Sequence, residues 1–183
     1  DKVWLQPVTF PVWQRRSESG RIISPYPQPL ILTALGGSVG TQGLLTAEVV
    51  EFESLESLKA ALENTLNGKI AFVNMKMTRA KDGSGYGPVS TLRRVGASEA
   101  AKKGAVAIVI RSVGTDSDRM PHTGMMRYEE GVAKVPAAAL SAPDADLLAN
   151  MIKRGKPVKL ELNIDAGWNG SKTEYNVIGE MTG

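Results

Sequence analysis

The run of six apolar residues Ala105–Ile110 constrains the fold more than any other stretch of the sequence. Short apolar runs without polar alternation predict strands buried on both faces, which are typical of parallel sheets covered by helices. This is also the longest apolar run among the 183 residues, whereas a membrane span needs roughly 20 such residues. The sequence therefore predicts an α/β domain without a membrane span.

Strand and helix patterns alternate on both sides of this run, which favours parallel crossover connections. Ser54 can cap a helix whose leucines recur at spacings of three and four, at positions 55, 58, 62 and 66. Ser141 begins a similar capping sequence, with Pro143 in the first helical turn. We predict strands at Thr46–Phe52, Ile70–Val73, Ala105–Ile110, Val135–Leu140 and Val158–Ile164, and helices at 55–66, Thr91–Lys103 and 142–154.

The predicted second helix has an unusual face of small residues, Gly96, Ala97, Ala100 and Ala101. A glycine in the middle of a helix costs about 1 kcal/mol relative to alanine. Close approach of the helix to a neighbouring strand would offset that cost. We therefore predict that Gly96 packs against the sheet.

The two ends of the sequence predict antiparallel ribbons. Val3–Trp13 contains β-forming residues interrupted by two prolines, which favours an edge strand or a bulged ribbon, and Arg15–Gly20 is predicted as a polar turn. Near the other end, a turn at Gly167–Gly170 is predicted to precede a last strand at Tyr175–Met181. We expect one compact domain, with a mixed sheet, helices and antiparallel ribbons at both ends.

The residue types exclude several kinds of site. The chain has no cysteine and a single histidine, His122, which excludes disulfides, thiol nucleophiles, cysteine-ligated zinc and metal sites built on paired imidazoles within it. The net charge of +3 is too small to indicate a nucleic-acid-binding protein. Seven basic and only two acidic residues lie between Lys76 and Lys103, however. This segment is either a solvated face or an anion- or nucleic-acid-binding module.

Residues Gly36–Gly40 match the G-x-S-x-G pattern of serine hydrolases, with Ser38 as nucleophile and His122 as base. That motif needs a strand before the serine and a helix directly after it. Here Gly43 and then β-branched residues follow, which favours a strand. A small serine hydrolase using Ser38 and His122 is the alternative enzymatic hypothesis, beside a plain glycine-rich loop.

Residues Arg111–Lys134 are predicted as a long polar loop. Connections of this length inside a compact domain are generally functional or disordered. The loop contains Met120, Met125, Met126 and Tyr128 amid charges of both signs. Exposed methionines and an aromatic residue suit a contact surface; the alternative is that the methionines pack onto the domain's own core.

Short motifs occur in order along nearly the whole chain. They are Pro11-Val12-Trp13-Gln14, Ala34–Val39, Gly68-Lys69-Ile70, Tyr86-Gly87, Arg94–Ala97, Ala100–Ala105, Ile110-Arg111-Ser112, Arg119–Gly124, Pro136–Ser141 and Asn176–Gly183. Taken together, they resemble a protease-associated domain, in the version inserted in secreted zinc exopeptidases of the carboxypeptidase Q and bacterial aminopeptidase kind.

The resemblance implies a swivelling β/β/α fold and a single accessory domain over residues 1–183, excised from a larger peptidase whose catalytic domain is absent. Such domains have no chemistry of their own and act as a lid or side wall near the peptidase active site. The family's first zinc-ligand pair, a histidine two residues before an aspartate, is not matched at His122, which Thr123 and Gly124 follow. The resemblance therefore implies no catalytic residue, metal ligand or cofactor here, and zinc in the missing peptidase domain.

The resemblance also implies an extracytoplasmic location, secreted or periplasmic. The partners would be the chain's own peptidase domain, which is a zinc-dependent aminopeptidase or carboxypeptidase, and its peptide substrate, with no nucleic acid and no membrane span. The candidate residues for contact with substrate or partner are Arg111, Arg119, His122 and Tyr128. The cations among them suit a peptide carboxylate.

Overall fold

The computed structural model describes all 183 residues, Asp1–Gly183. The chain forms eight strands and three helices. In order they are β1 (Lys2–Ser24), β2 (Gln28–Leu30), β3 (Leu32–Ala34), β4 (Leu45–Phe52), α1 (Leu55–Ala60), β5 (Ile70–Val73), α2 (Tyr86–Lys102), β6 (Ala107–Arg111), β7 (Ala137–Leu140), α3 (Ala142–Lys153) and β8 (Lys159–Glu180).

All the strands belong to one sheet, in the order β2-β1-β8-β4-β5-β6-β7-β3. The strands β4 to β7 are parallel, and every other pairing is antiparallel. The two ends of the sheet approach each other. A hydrogen bond shows this: the backbone N–H of Ala34 in β3 donates to Glu18 Oε2 in β1 at 3.2 Å. The predicted fold class, α/β with a mixed sheet, is confirmed.

Helices cover both faces of the parallel strands. On one face, Phe72 and Val109 belong to a core that includes the buried side of α3. On the other face, Ile108 and Ile110 pack with the buried residues of α1 and α2. Successive side chains of β6 are therefore buried on opposite sides of the sheet, as the unbroken apolar run predicts.

The antiparallel ribbons predicted at both ends are two halves of one structure. Strands β1 and β8 pair with each other from Lys2↔Glu180 to Ser24↔Lys159 and form one long antiparallel ribbon. The segments predicted as turns, Arg15–Gly20 and Gly167–Gly170, lie inside these strands. Register shifts between Pro11 and Trp13, between Arg15 and Ser17 and between Ile22 and Ser24 accommodate the irregular residues as bulges, so the strands bend without ending.

Two helix boundaries also differ from the predictions. The capping box at Ser54 is confirmed, but α1 ends at Ala60, and the Leu62 side chain is 81% exposed. Helix α2 begins at Tyr86, five residues before the predicted start, because Pro88 falls in its first turn, where no backbone N–H is needed.

The small face of α2 packs against the sheet as predicted. An ideal Cβ on Gly96 would lie 3.2 Å from Ile108 Cδ1 of β6 and 3.1 Å from Leu92 Cδ1. Both distances are shorter than ordinary van der Waals contacts, so a larger side chain would force α2 and β6 apart.

Candidate functional site

Polar side chains at the carboxyl ends of three parallel strands form one network. Glu51 lies near the end of β4, Asn74 follows β5, and Arg111 ends β6. The Asn74 amide donates to Glu51 Oε1 at 2.9 Å and accepts a hydrogen bond from Arg111 Nη1 at 3.1 Å. Because α/β sheets commonly bind ligands at this edge, the network marks the first candidate site.

Arg111 is held by the helix that follows β7. Its two terminal nitrogens donate to the two carboxylate oxygens of Asp146 in α3, at 2.8 and 3.0 Å, and Lys76 Nζ lies 3.1 Å from the same carboxylate. The hydrogen bonds from Arg111, with the smaller effect of Lys76, lower the pKa of Asp146 to about 2. The Arg111 side chain is only 10% exposed, and the Asp146 carboxylate compensates its charge. This ion pair joins β6 to α3.

Arg119 is held by a second carboxylate of α3. Its Nη2 donates to Asp144 Oδ1 at 2.7 Å, and Asp144 also accepts hydrogen bonds from the Ser141 hydroxyl and the Ile31 backbone N–H. The Asp144 side chain is 4% exposed, whereas half of the Arg119 side chain faces solvent. One buried acid therefore ties the long loop to α3 and to the start of β3.

His122 is exposed in the same region. Its backbone N–H donates to Ser112 Oγ at 2.5 Å, which fixes the loop and leaves the imidazole at the surface. A small cleft beside it and a second cleft of about 250 Å³, to which Arg111 contributes, share Gly114, Asp116 and Ala142. The structure therefore places Arg111, Arg119 and His122 at one edge of the domain, around the start of α3.

Tyr128, the fourth candidate, lies apart from the other three. Its hydroxyl donates to the Val135 carbonyl at 2.7 Å and accepts a hydrogen bond from the Val39 N–H at 3.0 Å. Burial raises the pKa of this phenol. The bond from Val39 binds the loop to the glycine-rich segment 36–40, and the bond to Val135 binds it to the residue that follows the loop, so Tyr128 has a structural role here.

The serine hydrolase hypothesis for Ser38 is wrong. The Ser38 side chain is fully buried; its hydroxyl donates to the Val39 carbonyl at 2.9 Å and accepts from the Ala137 N–H at 2.8 Å. No helix follows Gly40, and the next element is β4. A buried hydroxyl with both hydrogen bonds to backbone cannot reach a substrate carbonyl, so the G-x-S-x-G match is structural.

The basic segment between Lys76 and Lys103 does not present a continuous row of free cations. Lys76 pairs with Asp146, and Lys102 Nζ lies 3.1 Å from Glu99 and 2.7 Å from Glu129. This arrangement favours the interpretation as a solvated face over that of a nucleic-acid-binding module.

The long loop is predicted either as a contact surface or as a segment whose methionines pack onto the core, and each interpretation describes a part of it. Met126 is buried, 5% exposed, and belongs to the core beside α2, whereas Met120 and Met125 are 78% and 61% exposed. The loop therefore packs onto the domain at one methionine and presents the other two to solvent.

No group of three or more His, Cys, Asp or Glu side chains is placed to hold a metal ion. None of the three helices combines the length and the apolar character that crossing a bilayer requires.

Several exposed apolar side chains lie where the ribbon projects from the sheet, which we call the distal ribbon, residues 2–11 and 171–180. Directly paired residues share a face, so Val3, Leu5, Tyr175 and Val177 lie on the same side as the hydrogen-bonded Thr9 and Thr173. This side carries no charged residue, and we call it the uncharged face. Its four large apolar side chains are between 58% and 76% exposed. Sequence alternation within β1 and β8 was the signal for this face, but the pairing of the two ends was needed to find it.

No protein-family model matches the sequence. The chain is 37% identical over its whole length to carboxypeptidase Q of Xenopus laevis, of which it spans 38%. It is 54% identical to the crystal structure of a peptidase M28 precursor from Shewanella amazonensis SB2B, with a TM-score of 0.91 over 97% of this chain and 40% of that one. The chain is related to part of a peptidase.

A more distant structure shares the fold alone. BSAP, a zinc aminopeptidase from Bacillus subtilis, is 19% identical, with a TM-score of 0.57 over 94% of this chain and 35% of that protein. The chain thus spans well under half the length of the peptidases it matches.

Proposed function

We propose that the chain is a non-catalytic accessory domain, of the protease-associated kind, in an extracytoplasmic zinc-dependent exopeptidase. There it would act as a lid or side wall that controls which peptides reach the metal site. The observation that carries the proposal is the uncharged face of the distal ribbon, and the similarity to longer peptidases supplies the partner. The peptidase portion of the same polypeptide would bind the zinc.

The distal ribbon is poorly stabilised by this chain alone. Two-stranded ribbons are marginally stable in water, and exposed apolar patches generally mark contact surfaces. Pro7 and Pro11 in β1 lack the N–H groups that a further strand would need. These prolines disfavour the addition of a strand along β1, and we infer that the contact is made through the face of the ribbon.

A pair of charged substitutions tests this contact in the full-length peptidase that carries the chain. Leu5→Glu with Val177→Glu places two carboxylates on the uncharged face, at directly paired positions. We expect lower peptidase activity and separate thermal unfolding transitions for the two parts, because buried unpaired charges weaken an interface strongly.

The matched control is Gln6→Glu with Asn176→Glu, which introduces the same two charges at the adjacent pair on the opposite face. The control is expected to keep a single unfolding transition and the original activity. Equal effects of the two double variants would contradict a docking role for the uncharged face, and unchanged activity in both would contradict the accessory-domain proposal.

For substrate contact, we infer that His122 and the solvent-facing part of Arg119 are the residues available among the four candidates. The exposure of His122 and the half-exposed Arg119 side chain support this, whereas Arg111 and Tyr128 are occupied by internal contacts. We expect His122→Ala in the full-length peptidase to change KM for peptides and leave the melting temperature unchanged. KM values that stay the same across several peptides would contradict the inference.

A further inference from the structure

A cleft of about 710 Å³ lies between α2 and the loop segment 125–129. The Arg127 N–H donates to the Arg94 carbonyl at 3.0 Å, and the Glu129 N–H donates to the buried Ser98 hydroxyl at 2.9 Å. These bonds fasten the loop segment to the helix, so the cleft is formed without a ligand. Its volume lies within the range of about 300–1,000 Å³ that is usual for small-molecule and peptide side-chain sites. The site edge around α3 and the distal ribbon contribute no residue to it.

The floor of the cleft is apolar. Val95 on α2 and Met125 and Met126 on the loop segment line it, and Met125 is largely exposed. Methionine side chains are flexible and polarisable, which allows one surface to pack against apolar groups of different shape. The floor therefore suits an aliphatic or aromatic side chain.

Two guanidinium groups line the same cleft without an acidic partner. Arg94 and Arg127 are both exposed, and the acid of the cleft, Glu129, is already bound by Lys102 at 2.7 Å. Two neighbouring cations with no counter-charge favour an anion, and guanidinium groups match the geometry of a carboxylate. The cleft is thus complementary to a ligand with an apolar body and a single carboxylate.

The backbone of the loop segment adds hydrogen-bonding capacity. The carbonyl groups of Met125 and Arg127 accept no hydrogen bond from the rest of the chain. A peptide can donate its N–H groups to such carbonyls, whereas a fatty acid has no N–H to donate.

We propose that this cleft binds the C-terminal residue of a peptide with a free carboxylate. The apolar side chain of that residue packs on Val95 and the two methionines, and its carboxylate pairs with Arg94 and Arg127. A peptide N–H donates to one of the free loop carbonyls. The inference goes beyond the accessory-domain proposal, because it concerns only the 183-residue chain and holds or fails without the peptidase portion.

Calorimetric titration of the chain with acetyl-Ala-Ala-Leu as the free acid tests the proposal. The C-terminal amide of the same peptide is expected to bind about tenfold more weakly, because the charge-assisted hydrogen bonds to the carboxylate are lost. Acetyl-Ala-Ala-Ala as the free acid is also expected to bind more weakly, since it lacks the side chain that covers the floor. Absence of binding, or equal affinity for the acid and the amide, would overturn the proposal.

Two charge-removing variants localise the site. Arg94→Gln and Arg127→Gln are each expected to weaken binding of the free acid about tenfold. Arg79→Gln removes the same charge from an exposed arginine in a different cleft and is the matched control, expected to bind like the original chain. All three side chains are exposed, so melting temperatures should stay the same. Equal weakening by the control, or tighter binding of decanoate than of the peptide, would overturn the assignment.

Discussion

Two acidic residues on α3 hold the edge of the domain where Arg111, Arg119 and His122 lie. Asp144 is buried and accepts hydrogen bonds from the loop, from Ser141 and from the start of β3, whereas Asp146 lies at the surface between Arg111 and Lys76. Arg111 and Arg119, which the sequence indicates as substrate-facing cations, are therefore first of all partners of these acids. The carboxylates decide which cations remain available to a ligand.

The depressed pKa of Asp146 gives a pH-dependent contribution to stability. The folded-state pKa is about 2, below the ordinary value of about 3.9 expected when the chain is unfolded. The ionised Asp146 therefore stabilises the fold above about pH 4, and this stabilisation is lost as the pH falls towards about 2. Asp146→Asn should melt below the original chain at pH 6, and the two melting temperatures should converge between pH 4 and pH 2.

Asp116→Asn is the control for this titration, because Asp116 is exposed and makes no ion pair with the chain. Its melting curve should follow that of the original chain across the same pH range. A difference between Asp146→Asn and the original chain that stays constant from pH 6 to pH 2 would show that the ion pair with Arg111 does not contribute.

At the scale of elements, the packing of α2 on β6 depends on one small residue. Gly96→Leu would place four extra carbons where even a single added Cβ would lie 3.2 Å from Ile108 and 3.1 Å from Leu92. Overpacking of this kind typically costs about 1–3 kcal/mol. We expect a clearly lower denaturant midpoint in equilibrium unfolding of the chain.

Arg94→Leu is the matched control for that substitution. Arg94 lies on the same helix, and its side chain is exposed. Because leucine and arginine have similar helix propensities, this change should leave the midpoint nearly unchanged. A fall in midpoint as large as that of Gly96→Leu would mean that a leucine side chain on α2, and not packing against β6, explains the result.

The ribbon shows how local signals at this scale can mislead. Prolines, polar residues and glycines in β1 and β8 favour turns when each strand is considered alone. When a partner strand is present, the same residues form β-bulges within the strands. Arg16 and Arg21 also form ion pairs across the ribbon with Asp165 and Glu161. The 23 residues of β1 remain one strand because β8 is there to pair with them.

For the whole molecule, the sheet brings distant parts of the chain into two cores. One core joins β1, β8 and α3, and the other joins α1, α2 and the end of the long loop. Strands β3 and β8, far apart in sequence, lie beside the parallel strands and complete a sheet whose ends approach at Glu18 and Ala34. The ribbon leaves this body on one side, and so its apolar face is available to a partner.

Composition and local pattern determined the α/β class, the buried central strand, the serine caps of α1 and α3 and the close packing of Gly96. These depend on hydrophobic periodicity, side-chain size and short-range hydrogen bonds, which neighbouring residues specify. The pairing of β1 with β8, the burial of Ser38 and the carboxylates that bind Arg111 and Arg119 were decided only by the tertiary structure. Each of these contacts joins residues far apart in the chain. Local sequence preferences do not specify which distant residue will pair with a strand edge, a hydroxyl group or a charge.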